Sequence, residues 1–128
     1  TEVNRVLESN LKPPTELLHG DCYGIEPQVP GVTMLMFEYG KLKRIEIENP
    51  GLKTIRGIEV GQAKRRMHDV YGKLVKVEPD QYDPDSDQYL TIYSRDGRLA
   101  MRVLVHSGTI GAIHVGSRRQ VEYVEGCL

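Results

Sequence analysis

The chain has 128 residues, 27% charged and 39% apolar, with a formal net charge of −1. That length supports one modest hydrophobic core in a single domain, and the mixture is neither a disordered nor a membrane composition. The lack of surplus Lys and Arg argues against general nucleic-acid binding, which depends on displacing counterions.

Seven Tyr stand against one Phe and no Trp, a balance that favours half-buried sheet faces, where the ring packs and the hydroxyl stays wet. In chain order, Val3, Val6 and Leu7 predict a short helix over residues 1–9, and residues 16–25 an opening strand. Residues 33–39 form an apolar strand entered through Gly31, and Gly40 turns the chain into a second strand over 41–47. Between the halves, Ala63, Met67, Val70 and Tyr71 recur at helical spacing over residues 61–72, and Gly72 marks the stop. Residues 88–94 then read as a strand, residues 99–106 and 108–115 as a second hairpin, and residues 120–125 as a last strand.

The two hairpins share a pattern. Gly40, Leu42, Ile45 and Ile47 align with Gly108, Ile110, Ile113 and Val115. Alternation places Met101, Val103, Val105, Ile113 and Val115 on a core face, matched by Thr33, Leu35, Phe37, Ile45 and Ile47. The opposite faces are mixed, with Met36, Leu42 and Arg44 in one hairpin and Leu104, Ile110 and His114 in the other. The fold expected is α+β: a single domain over residues 1–128 made of two tandem α-βββ repeats, about 1–50 and 57–128, with short helices packed on antiparallel sheet. The first helix lacks the Gly-Ile-x-Val-Gly lead-in of residues 57–61, so the native protein is expected to continue upstream of Thr1.

Cys22 and Cys127 do not form a Cys-x-x-Cys redox pair. Two buried thiols and a long-range disulfide both remain open from spacing alone. The stretch from Gly57 to Gln62, followed by a short helix ending in Tyr71-Gly72, resembles helix openings in small bacterial envelope proteins. These include the small lipoprotein of the outer-membrane β-barrel assembly machinery and the tandem-repeat β-lactamase inhibitor protein. The chain is also similar to a group of exported or lipid-anchored bacterial proteins. The features shared with that group are the same lead-in and helix, a loop with Pro79 and Tyr82, the pair Cys22-Tyr23, and a terminal Tyr123-Val124-Glu125-Gly126-Cys127. The resemblance implies a Cys22–Cys127 disulfide, a periplasmic or secreted location, and an anchor upstream of Thr1 as one form of export. Its motifs are structural and identify no active site.

Candidate chemistry is sparse. Asp83, Asp85 and Asp87 alternate as in a calcium loop, but a glycine and a bidentate glutamate are missing where such a loop needs them; a solvated Pro/Asp turn explains the segment better. His19, His68, His106 and His114 show no ligand spacing, and no Gly-x-Ser-x-Gly elbow occurs. No cofactor is expected. Tyr89 and Tyr93 on the strand over 88–94, with Arg118 and Arg119 beyond it, are the candidate contacts for a protein partner. The expectation is a non-enzymatic module that binds a macromolecule, inhibitor-like or accessory to envelope assembly. The alternative is a small hydrolase or metal-dependent enzyme whose site is assembled from scattered residues.

Overall fold

A computed structural model describes residues 21–124, 126 and 127. Seven strands form one antiparallel sheet: β1 (Cys22–Ile25), β2 (Met34–Glu38), β3 (Lys41–Ile47), β4 (Lys76–Pro79), β5 (Asp87–Tyr93), β6 (Leu99–His106) and β7 (Thr109–Ser117). Helix α1 (Arg65–Tyr71) precedes β4 and the four-residue α2 (Arg118–Val121) follows β7. The spatial order is β1-β2-β3-β7-β6-β5-β4. Two meanders, β1–β2–β3 and β5–β6–β7, therefore meet edge to edge through antiparallel β3 and β7, with Ile45 opposite Val115 and Ile47 opposite Ile113.

This corrects the expectation of two tandem helix-plus-sheet repeats. The strands merge into one continuous sheet, and the described helices are too short to make a second layer per repeat. The predicted helix over 1–9 lies outside the described residues. The helix predicted over 61–72 loses its first turn because its backbone is drawn to β7. Gly61 N–H donates to the Ile110 carbonyl at 2.8 Å, Ile110 N–H to that of Gln62 at 2.8 Å, and Lys64 N–H to that of Gly108 at 2.9 Å. Backbone groups spent on a neighbouring strand cannot close helical turns. Over residues 120–124 the expected strand is instead the end of α2 and an irregular segment, residue 125 lying outside the described residues, whereas β4, read as loop, pairs with β5.

The hairpin likeness itself is geometric. Tyr39-Gly40 and Ser107-Gly108 both take positive φ, at 54° and 74° and at 48° and 84°, as two-residue turns between twisted strands require. Each hairpin then skips one residue on its second strand. Met36 pairs with Arg44 and Phe37 with Leu42, leaving out Lys43; Leu104 pairs with Ala112 and Val105 with Ile110, leaving out Gly111.

One face of the sheet carries most of the expected core. Ile47, Leu90, Met101, Val103, Val105 and Ile113 are buried, joined by Met67 from α1 and by Ile58 and Val60 from the segment before it; Ile110, expected on the mixed face, joins them because the skipped Gly111 shifts the register. Burial of each large aliphatic side chain contributes about 1.5–3 kcal/mol relative to exposure. The Gly57–Gln62 stretch seats Ile58 and Val60 through its own bonds: Ile58 N–H donates to Thr54 Oγ1 at 3.0 Å, and Gln62 Nε2 to the Gly57 carbonyl at 3.0 Å.

The seam between the meanders depends on Gly116. A Cβ there would fall on the Lys43 carbonyl oxygen, with the carbonyl carbon at 2.9 Å. Gly116→Ala is expected to cost roughly 2–3 kcal/mol in urea unfolding, because β3 backbone must shift to admit it. Gly111→Ala, whose Cβ would meet only the Leu104 oxygen at 3.7 Å, is the control. Equal losses for the two would remove the close approach as the cause.

Candidate functional site

The other face of the sheet is built from the residues that alternate with the core positions, and it is polar at its centre. Register alone sets a transverse row, with Glu46 opposite His114, His114 opposite Arg102, and Arg102 opposite Thr91. Thr91 and Arg102 are buried, as are His114 and the adjacent Arg44. The row is tied by Arg44 Nη2 to Glu46 Oε2 at 2.6 Å, Arg102 Nε to Thr91 Oγ1 at 3.0 Å, and Arg102 Nη2 to Glu78 Oε1 at 3.5 Å, with His114 Nε2 lying 3.6 Å from Glu46 Oε1. Buried charges persist only when paired in this way.

Within that row His114 is held neutral. Burial is the largest cause, lowering its pKa to about 4; Arg44 and Arg102 push the same way, and Glu46 opposes them. In the unfolded chain a histidine titrates near 6.5. As pH falls from about 6.5 to 4 the unfolded state therefore takes up a proton that the folded state refuses, and stability drops in that window by about 3 kcal/mol. Urea midpoints of the parent should fall across it more steeply than those of His114→Gln. Parallel slopes would mean that His114 is not the group responsible.

The segment after β7 crosses this face toward β1. Arg44 Nη1 donates to the carbonyls of Gln120 at 2.8 Å and Tyr123 at 3.3 Å. Gln120 Nε2 donates to Glu38, and Tyr123 Oη lies 3.4 Å from both Glu38 oxygens. The segment ends in a disulfide between Cys127 and Cys22, with Cα atoms 5.6 Å apart.

Four predicted partner contacts fall in different surroundings. Tyr89 is buried under Arg102, whose guanidinium lies 4.8 Å from the ring centroid. Tyr93 is half-buried, with the Arg118 guanidinium 4.4 Å above its ring, and Arg118 also pairs with Glu122 at 2.8 Å. Arg118 and Arg119 are exposed. Arg118 N–H donates to the Arg98 carbonyl at 2.9 Å, so α2 sits directly on the β5–β6 turn. Tyr93, Arg118 and Arg119 are thus brought to one end of the sheet, and Tyr89 is not. Among the described residues the Tyr93 hydroxyl is buried without a hydrogen-bond partner, an arrangement that ordinarily costs about 1–3 kcal/mol.

Two shallow depressions open at that same end. One, of about 480 Å³, is lined by Arg118, Arg119, Glu122 and Tyr123. The other, of about 300 Å³, lies on the core face, is mainly apolar and includes Ile92, Leu99, Met101 and Val115. Leu99 remains 56% exposed at its rim. Leu99 was not singled out in the sequence; its signal was a large apolar residue next to a turn, where polar residues are usual.

The acidic loop is organised by its own backbone. Burial is the largest single influence on Asp80 and raises its pKa, but the N–H groups of Tyr82 at 2.7 Å and Asp83 at 3.0 Å, with the Tyr89 hydroxyl, together outweigh it and hold the carboxyl below its ordinary value. Asp83 and Asp87 both accept from Ser86 Oγ, at 2.7 and 3.1 Å, and Asp87 also contacts His106 Nδ1 at 2.6 Å. No group of three His, Cys, Asp or Glu side chains that could hold a metal occurs among the described residues, so Asp83, Asp85 and Asp87 do not converge. The Asp87–His106 pair orients an imidazole, yet Ser86, the nearby hydroxyl, bonds the carboxylates instead of the ring. His68 is exposed on α1, and His19 lies outside the described residues.

The buried row of Arg44, Glu46, Arg102 and His114 was not foreseen as a unit. Its signal was charge at alternate strand positions, between Ile45 and Ile47 and between Met101 and Val103. Comparison of the chain with protein-family models, with curated proteins and with solved structures finds no match. Among the described residues no helix is long and apolar enough to cross a membrane.

Proposed function

We propose that this chain is an exported, non-enzymatic module that binds a protein partner at the end of the sheet formed by the β5–β6 turn and α2. The observation that carries the reading is that this end of the sheet presents Tyr93, Arg118 and Arg119 beside an open depression on its polar face and the exposed Leu99 at the rim of an apolar depression on its core face. Tyr and Arg over-contribute to the centres of protein interfaces, because each supplies wide contact area and directional polar groups. Export to the periplasm or beyond is supported by the Cys22–Cys127 disulfide, since such bonds persist in oxidising compartments. An inhibitor-like or assembly-accessory role in a bacterial envelope follows from the resemblance in the lead-in, helix and terminal motifs.

The test is affinity capture from the source organism's envelope fraction, with the disulfide intact and Leu99→Asp as the control. Leu99 is exposed enough to change without disturbing the core. One partner enriched by the parent and lost with Leu99→Asp is the expected result. Identical captured sets from the two proteins would remove this end of the sheet as the binding surface.

A further inference from the structure

The end of the sheet that carries Leu99 also gathers four arginines. Arg95 and Arg98 lie on the β5–β6 turn and Arg118 and Arg119 on α2, all exposed. The two elements touch. The Arg118 N–H to Arg98 carbonyl bond joins them, and Arg118 Nη1 lies 3.5 Å from where a Cβ on Gly97 would stand. Two carboxylates accompany the four. Asp96 lies 4.0 Å from Arg98, and Glu122 lies 2.8 Å from Arg118. Asp96 is engaged by its own turn, where the Arg98 N–H at 3.0 Å and the Ser94 hydroxyl at 2.8 Å hold its carboxyl below the ordinary range. Arg95 and Arg119 have no carboxylate partner among the described residues. The patch therefore carries a surplus of positive charge in a chain whose net charge is −1.

We propose that this surface takes an acidic segment of a protein partner, with its carboxylates on the four arginines. The proposal rests on the binding reading above and specifies the chemistry of the partner. Guanidinium groups match carboxylates in a planar, two-bonded geometry that lysine cannot reproduce. Four arginines interleaved with Asp96 and Glu122 are too few and too mixed for an anionic membrane, where attraction grows with the number of uncompensated basic residues.

The probes are a fluorescent Glu-rich peptide, its Gln-for-Glu counterpart, phosphatidylglycerol-containing vesicles and inorganic polyphosphate. Each is titrated against the full chain and against R98E/R119E, with urea midpoints verifying that the variant is folded. The expected result is salt-sensitive binding of the Glu peptide, at least about tenfold tighter than the Gln peptide and weakened at least about tenfold in R98E/R119E. Equal affinity for the two peptides, or no effect of R98E/R119E, overturns the proposal. So does preference for vesicles or polyphosphate, or salt-sensitive self-association of the chain that R98E/R119E abolishes. A captured partner lost with Leu99→Asp but retained by R98E/R119E would leave the binding reading standing and remove its acidic occupant.

Discussion

Replacing Cys22 and Cys127 together by Ala is expected to lower the free energy of unfolding by about 4–5 kcal/mol. The bond closes a loop of 105 residues, and in the chain-entropy account a cross-link over roughly 100 residues removes about that much freedom from the unfolded state. The native state loses an anchor as well. β1 is a four-residue edge strand whose first residue, Cys22, is paired with Glu38, and Glu38 in turn receives Gln120 and Tyr123. Without the bridge, that end of β1 keeps only its backbone pairing with β2, and the segment after α2 keeps its bonds to Arg44 and Glu38. Urea unfolding of the oxidised parent, the reduced parent and the double Ala variant measures the loss. Amide exchange of Tyr23 and Ile25 should accelerate before that of β6 does. A change below about 1 kcal/mol would show that the reduced chain is already constrained and that loop closure contributes little.

Arg44→Met should be nearly as damaging, at about 3–5 kcal/mol. Arg44 is 2% exposed. Its guanidinium bonds Glu46 through Nε at 3.0 Å and Nη2 at 2.6 Å, and through Nη1 it reaches the carbonyls of Gln120 and Tyr123. One side chain thus binds the polar row to the segment that crosses it. Methionine fills similar space but leaves Glu46 without its main counter-charge beside a neutral His114, and stranding one member of a buried pair is the expensive case. Removing both charges should recover part of the loss, so a cycle with Glu46→Leu is expected to show coupling of opposite sign to the single changes. Additive effects in the cycle, or a loss below about 1 kcal/mol for Arg44→Met, would show that the pair is not the tie described.

These two substitutions act on parts of the molecule that were unequally legible in the sequence. The disulfide was expected from the resemblance around Cys22-Tyr23 and the Tyr-Val-Glu-Gly-Cys terminus. Arg44 was seen only as one polar member of a mixed face. Its partner Glu46 is two residues away on the same strand, but the carbonyls of Gln120 and Tyr123 reach it through the tertiary fold. The candidate site divides in the same way. Tyr93, Arg118 and Arg119 were singled out, whereas the stacking of Arg118 on Tyr93 follows from α2 folding back on the β5–β6 turn. Tyr89 has the same strand parity as Tyr93 and the same residue type, yet Arg102 on the neighbouring strand covers it.

What the sequence by itself determined is local. Two hairpins, their turns at Gly40 and Gly108, and the core face running through Ile45, Ile47, Met101, Val103, Val105, Ile113 and Val115 all follow from backbone sterics and a side-chain period of two. Tertiary structure decided how the pieces join. The edges of β3 and β7 could each have been covered by a helix, but they pair with one another, and Gly116 lets the backbones approach. That pairing merged the strands of two expected repeats into one sheet. The same pull shortened α1, since Gly61, Gln62 and Lys64 bond to β7 and its turn rather than to their own helix. A helix of seven residues has little intrinsic stability in water. Competition for its first turn is therefore settled by whichever partner the rest of the fold brings near.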